Sequence, residues 1–253
     1  LEISAFSAKL ALRFELLLRH IMCARFSLTS PIEAIRKLFG FPQSFNLSAA
    51  YNIAPSDQIL AVRKSKNSDQ VINEAFRAQW GLIPPWAEGS NFGTKLINAR
   101  IETVEEKPSF KDAFKSKRCL IPANGYFEWK TDDNGQKQPY FIHLKHQQLF
   151  AFAGLWEEWI SPEGLLKESC TIITCPANKT IEPIHHRMPL TVTRNFYDDW
   201  LNGKDANSVP DQKHQESFEF YPVSKAVGNV RADGPNLIAE IQLEKTWKQG
   251  NLF

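Results

Sequence analysis

The sequence predicts a single β-rich α+β domain whose strands run mostly antiparallel. Three observations predict it. Short apolar or alternating segments recur along the whole chain with few helical stretches between them. The breaks between them carry hairpin chemistry, of which Asp132-Asp133-Asn134-Gly135, with Asn-Gly at its tip, is the plainest. No internal repeat or low-complexity linker divides the 253 residues. The expected boundaries are a leader or upstream extension at 1–21, one domain at 22–245 and a C-terminal tail at 246–253.

Residues 1–21 carry an apolar run broken by Lys9, Arg13, Glu15 and Arg19. That is too short and too charged for a membrane span, and it has no uninterrupted apolar core followed by a small-residue cleavage site. An upstream extension, or a segment removed before Cys23, is the plainer reading. An amphipathic, basic targeting helix is the alternative.

The first strand is expected over Cys23 to Leu28. Thr29-Ser30-Pro31 predicts a helix start with a hydroxyl cap and Pro in the first turn. Apolar residues at helical spacing run from Ile32 to Phe39, and Gly40 stops them. Ile59 to Arg63 and Val71 to Trp80 form a hairpin across a polar turn. Trp80-Gly81-Leu82-Ile83-Pro84-Pro85-Trp86 cannot be a central strand, because two prolines lack the N–H a ladder needs. It reads as a stiff loop holding two tryptophans. Either both are core aromatics, or at least one offers a face on which a base could stack. A short helix is expected at Phe110 to Phe114 and strands at Arg118 to Pro122, Asn124 to Lys130 and Tyr140 to Leu144. Further strands follow at Phe150 to Trp156, Ser169 to Thr174 and Phe218 to Val223, with a helix at Thr193 to Leu201.

Composition bounds the function. At 43% hydrophobic, with 18 Phe and 7 Trp, the chain can bury a substantial core. A formal charge of +2 creates no global field toward nucleic acid, so any such site must be a local basic or aromatic groove. The four cysteines, Cys23, Cys119, Cys170 and Cys175, contain no CxxC pair, so zinc and redox readings are weak and no metal or cofactor is expected. Cys119 reads as core. A reduced, cytoplasmic setting is expected, with no membrane partner and a monomeric chain.

The chemistry concentrates at Met22-Cys23-Ala24-Arg25-Phe26. If Met22 starts the chain and is removed, Cys23 presents an α-amine titrating near about 8 and a thiol near about 8.5. Together they can attack one aldehyde: the amine gives an imine, and the thiolate closes a five-membered thiazolidine. On position alone the plainer reading is a small buried hydrophobe. Three further polar sites stand out. Glu128 lies between Phe127 and Trp129; alternation makes a solvated sheet face the plainer reading, and a pocket would make Glu128 a proton-transfer group. His185 lies in a Pro-terminated loop. Asn98 and Arg100 share a face of an extended segment and could read a phosphate or orient a reacting group, although a surface turn explains them equally well.

The set of motifs resembles one family. In order they are Met22-Cys23 with Arg25-Phe26, Tyr51-Asn52-Ile53-Ala54-Pro55, the Trp80–Trp86 loop, Asn98 to Thr103, Ile121 to Trp129, and Ile184-His185-His186-Arg187-Met188-Pro189. They match the SOS-response-associated peptidase (SRAP) family, the abasic-site processing proteins, from Met22 to about residue 240. The resemblance implies a barrel-like core with flanking helices. It also implies that Cys23, exposed by removal of Met22, forms a thiazolidine crosslink with an abasic site in single-stranded DNA, with autopeptidase and associated lyase activities. Its catalytic set maps onto Cys23, Asn98, Glu128 and His185. Arg25 and Arg100 match phosphate-holding positions. Asn52, Pro55 and Trp86, or alternatively Trp80, match parts of a DNA-facing groove, and Thr174 matches a position beside the histidine. Two other classes compete: a cysteine hydrolase using Cys23 and His185 on peptide or amide bonds, and a non-catalytic single-strand-binding module using the tryptophans and arginines.

Overall fold

The computed structural model describes residues 24–65, 71–146, 148–204 and 218–243. The leader 1–21, Met22, Cys23 and the tail 246–253 lie outside the described residues. In chain order the elements are β1 (Phe26–Leu28), α1 (Ile32–Phe39), β2 (Ala50–Ile53), β3 (Gln58–Lys64), β4 (Asn73–Trp80), β5 (Asn98–Arg100), α2 (Lys111–Ser116) and β6 (Arg118–Ala123). They continue with β7 (Gly125–Thr131), β8 (Lys137–Leu144), β9 (Phe150–Ile160), β10 (Leu166–Pro176), β11 (Arg187–Pro189), β12 (Thr191–Val192), α3 (Tyr197–Leu201) and β13 (Phe218–Pro222).

Five strands close on themselves in the order β10-β4-β3-β6-β9 and back to β10. A ring of five strands cannot alternate direction all the way round, so at least one adjacent pair must be parallel. That pair is β4 with β10, where Ser169 faces Gln79 and Cys170 faces Trp80; the other four contacts are antiparallel. Beyond Trp80 the chain leaves this edge of β10. It returns as β5, parallel to the same strand, with Ile172 opposite Asn98 and Thr174 opposite Arg100. The neck of the excursion is closed by two glycines placed back to back. A Cβ on Gly81, which has φ +130°, would lie 2.5 Å from the Gly93 carbonyl oxygen, and one on Gly93 would lie 2.4 Å from that of Gly81.

A second, fully antiparallel sheet in the order β13-β8-β7-β1-β2 packs on the barrel. Aromatic rings fill the space between them. Phe26 meets Trp80 edge-on at 5.3 Å and Phe152 at 5.8 Å, and Tyr126 meets Phe152 at 6.1 Å. The far face of this sheet is covered by the segment after β13, which buries Val223, Val227 and Leu237 against Phe127 and Phe141. Both faces of β7 are therefore covered. This explains why its first four residues are buried without alternation.

Local rules account for most elements. In α1, Ile35 and Phe39 are four apart and both buried, and Gly40 ends the helix in the left-handed region at φ +69°. The expected hydroxyl cap is absent: Pro31 takes the cap position with no side-chain bond. Asn124 has claimed this corner instead, its Oδ1 accepting the N–H groups of Thr29 and Ser30 and its Nδ2 donating to Ser30 Oγ. The hairpin turn after β7 is held by Asp132 Oδ1, which accepts from the N–H groups of Asn134 and Gln136. The expected helix at Thr193 to Leu201 begins as a 3-10 turn (Arg194–Phe196) before α3. No helix among the described residues is long and apolar enough to cross a membrane.

Candidate active site

Glu128 is the residue whose placement departs most from its alternation pattern. It is only 3% exposed. On β7 it lies on the face of Tyr126, a residue of the main core, and opposite Tyr140 of β8. The solvated-face expectation is overturned because the barrel covers this side of the sheet. The antiparallel register pairs Phe26 with Tyr126, and Phe127 N–H donates to the Arg25 carbonyl at 3.0 Å. Continued by two pairs, it brings Ala24, half-buried against the main core, alongside Glu128. Cys23, the next residue toward the N-terminus, lies outside the described residues.

Asn98 and Arg100 sit on β5, the first half-buried and the second exposed. They occupy the edge of β10 that β4 has vacated, and β10 continues to Thr174. Thr174 is fully buried. Its Oγ1 donates to the Ala99 carbonyl at 3.4 Å, and its own carbonyl accepts the Ile101 N–H at 2.9 Å. Arg187 completes the corner from β11. Its guanidinium is buried and grips Glu102 through both carboxylate oxygens, at 2.5 and 2.9 Å. It also donates to the Thr174 carbonyl at 2.8 Å and to Thr174 Oγ1 at 3.2 Å. Thr174 is therefore a brace between β5 and β11 rather than a surface contact. Burial alone would raise the Glu102 pKa, but the Arg187 hydrogen bond, with the charges of Arg187 and Arg100, holds it below the usual carboxylate value.

Arg187 also fixes His185. Its backbone N–H donates to His185 Nδ1 at 3.1 Å, and its carbonyl oxygen lies 3.1 Å from the same nitrogen. A neutral ring accepts at Nδ1 and carries its proton on Nε2. A protonated ring donates from Nδ1 to the carbonyl, so one orientation serves both states. Burial pulls the His185 pKa below its ordinary 6.5; the backbone bond opposes this, and the charges of His186 and Arg187 add to the lowering.

The groove residues divide. Asn52 is buried, and its amide is committed inside the protein. Nδ2 donates to the carbonyls of Val227, Asn229 and Ala232 at 3.3, 3.0 and 2.9 Å, and Oδ1 accepts from Arg25 at 3.1 Å. It organises the 227–232 turn instead of facing a ligand. Arg25 is half-buried and also donates to the Val227 carbonyl at 2.8 Å. Pro55 is half-buried in a tight turn where Ser56 holds φ +76° and Asp57 Oδ2 accepts the Ala54 N–H. Trp80 is fully buried and cannot offer a stacking face. Trp86 is 55% exposed, stands edge-on to Phe92 at 5.2 Å and borders a cleft of about 370 Å³ with Pro84, Pro85 and Pro108.

The two halves of the site are joined by direct contact. Phe26, beside Arg25 and across from Tyr126, touches Trp80, and the Trp80 indole donates to the Ile97 carbonyl at 2.9 Å, one residue before Asn98. From Asn98 the path runs along β5 and β10 to Thr174, Arg187 and His185. Sequence reasoning missed Arg187 and Glu102 as parts of the site. Both lie inside motifs it singled out, but nothing in the sequence pairs residues 85 positions apart. Among the described residues no cluster of three or more His, Cys, Asp or Glu is arranged to hold a metal ion.

Comparison with known proteins gives this arrangement a family. The model of the SOS response associated peptidase (SRAP) family matches residues 22–230. Bacillus subtilis abasic site processing protein YoqW is 41% identical over 227 residues, covering 86% of this chain and 99% of that protein. Abasic site processing protein HMCES of Xenopus tropicalis is 32% identical over 239 residues, covering 83% of this chain and 69% of that protein. A crystal structure of a Bacteroides thetaiotaomicron protein superimposes with a TM-score of 0.73 at 25% identity, over 87% of this chain and all of that one. The barrel, the buried Glu128 and the β5–β10–β11 corner are thus features of a chain that belongs to the SRAP family.

Proposed function

We propose that this protein processes abasic sites in single-stranded DNA as a monomer and captures them covalently through Cys23, exposed as the N-terminal residue by removal of Met22. The observation that carries the reading is the burial of Glu128 on the barrel side of β7, alongside the entry of the chain at Ala24. A carboxylate is hidden there only where it has work or a partner.

The chemistry balances. An abasic deoxyribose is mostly a closed hemiacetal, and ring opening moves a proton from its hydroxyl to the ring oxygen, leaving an aldehyde. His185 serves as the proton donor. The Cys23 amine adds to the aldehyde and one water leaves, giving an imine; Glu128 supplies and takes up the protons of that dehydration. The thiolate then adds to the imine carbon, the nitrogen takes a proton, and the thiazolidine closes with a net loss of one water. Asn98 orients the amine or a sugar hydroxyl, exposed Arg100 and half-buried Arg25 hold flanking phosphates, and Trp86 with Pro55 guides the strand. The imine is also the species from which strand scission can proceed, the basis of a lyase activity. Cleavage of the bond before Cys23 would be the peptidase activity, in keeping with a cytoplasmic role in DNA damage.

Intact-mass spectrometry tests the proposal, before and after mixing with a single-stranded oligonucleotide holding one abasic site. The expected result is a protein mass beginning at Cys23 and a stoichiometric adduct lighter by one water than the sum. A protein beginning at Cys23 that forms no adduct would overturn it.

A further inference from the structure

We infer that Trp80 is a positioning residue: its buried indole N–H, by holding the Ile97 carbonyl, sets where the Asn98 side chain stands. The inference rests on the role proposed above for Asn98.

Asn98 opens a strand of three residues that follows a long excursion from the barrel. So short a parallel strand has little ladder to hold it in place. The carbonyl just before it is held from two directions. Ile172 N–H of β10 donates to Ile97 O at 3.1 Å, and Trp80 Nε1–H donates to the same oxygen at 2.9 Å. The first bond belongs to the sheet, and the second comes from the end of β4, which pairs with the same edge of β10 just before β5 does. Trp80 is itself fixed on every side. Its N–H donates to the Asp57 carbonyl at 2.9 Å, its carbonyl accepts the Ser56 N–H at 2.8 Å, and Phe26 abuts its ring. One residue therefore ties β5, through its indole, to the turn holding Pro55, through its backbone, and to β1, against which its ring packs. Removing the bond leaves the Ile97 carbonyl with its sheet partner, so no buried acceptor is orphaned.

Trp200 provides a matched control. It too is fully buried, and its Nε1–H donates to a backbone carbonyl, that of Cys119 at 2.8 Å. It lies on α3 and packs against β6 and Phe114 of α2, not on the elements that carry the site.

The experiment compares Trp80→Phe with Trp200→Phe in protein beginning at Cys23. The first readout is the side-chain amide signal of Asn98 in a nitrogen–proton spectrum, assigned by its loss in Asn98→Ala. It should move in Trp80→Phe and stay in place in Trp200→Phe. The second is the single-turnover crosslinking rate at saturating abasic single strand. Trp80→Phe should slow it about tenfold or more while strand affinity stays within about threefold, since a small misplacement of a reacting group is that costly. In the Asn98→Ala background, Trp80→Phe should slow the reaction no further. An unmoved Asn98 signal, equal slowing by both tryptophan variants, or a full additional loss on top of Asn98→Ala would each overturn the inference. If the parent protein forms no crosslink, the proposed function fails, and the Asn98 signal alone decides the position claimed for Trp80.

Discussion

At the scale of single residues, His185 and Glu128 make different demands on pH and on chemistry. His185 titrates below its ordinary 6.5, chiefly because it is buried. On the proposed mechanism the protonated ring is the donor, whereas the Cys23 amine must be neutral, and an α-amine ordinarily titrates near about 8. Below the His185 pKa the ring stays fully protonated, and the crosslinking rate should climb with pH as free amine appears. Between the two pKa values the loss of protonated ring offsets the gain of amine, so the rate should level. The bend between these regimes should fall below pH 6.5, and a pH–rate profile of His185→Ala should lack it. Glu128→Gln keeps the shape of the side chain and removes its proton transfer. It should slow crosslinking by about 10²–10⁴-fold with single-strand affinity unchanged, as read by quench-flow and by fluorescence anisotropy. An unaltered rate would remove Glu128 from the mechanism.

At the scale of elements, the decisive piece is the excursion between β4 and β5. Its neck depends on Gly81, whose backbone lies in a region side chains avoid and whose missing Cβ leaves room for the Gly93 carbonyl. Gly81→Ala should destabilise the fold by about 1–3 kcal/mol, measured by urea unfolding, and should disturb Asn98 because β5 hangs from that neck. Farther out on the same excursion Trp86 is exposed. Trp86→Ala should weaken single-strand binding by about 1–3 kcal/mol, roughly 5- to 150-fold, if a base stacks on it. Anisotropy measured with and without an abasic site distinguishes a general grip on the strand from a contact at the lesion.

At the scale of the whole molecule, the fold brings Ala24 alongside a covered carboxylate, and on the proposed reading the chemistry depends on where the mature chain begins. A protein that retains Met22 or any of residues 1–21 has its Cys23 nitrogen locked in an amide. It should form no thiazolidine, although strand binding should be close to that of the processed form. An acetylated N-terminus should behave the same way. Mass spectrometry of the adduct reads the first expectation, and anisotropy reads the second. A cysteine hydrolase would be indifferent to both changes, so this comparison separates the two chemistries.

Local interactions made much of this legible from residues alone. The α1 span, the hairpins at Asp132 to Gly135 and between β3 and β4, the proline-stiffened loop and the core place of Cys119 follow from periodicity, turn chemistry and missing N–H groups, all of which act over a few residues. The motifs likewise marked Asn98, Glu128 and His185 before any of them had a location. Whatever depended on a distant partner could not be read this way. Alternation put Glu128 on a solvated face because a single strand does not show what covers its other side; the barrel does. Asn52, matched to a DNA-facing groove, and Thr174, matched to a place beside the histidine, show their actual partners only when the 227–232 turn and Arg187 arrive to use their hydrogen bonds. Trp80 and Trp86 stand in one short motif with the same chemistry, and only the tertiary structure decides that one, at the end of β4, is sealed between sheets and the other faces water. Residue type and spacing determined the family of chemistry available to this chain. The tertiary structure decided where those groups stand and which of them are spent on holding the fold, because burial and hydrogen-bond satisfaction are properties of the assembled fold.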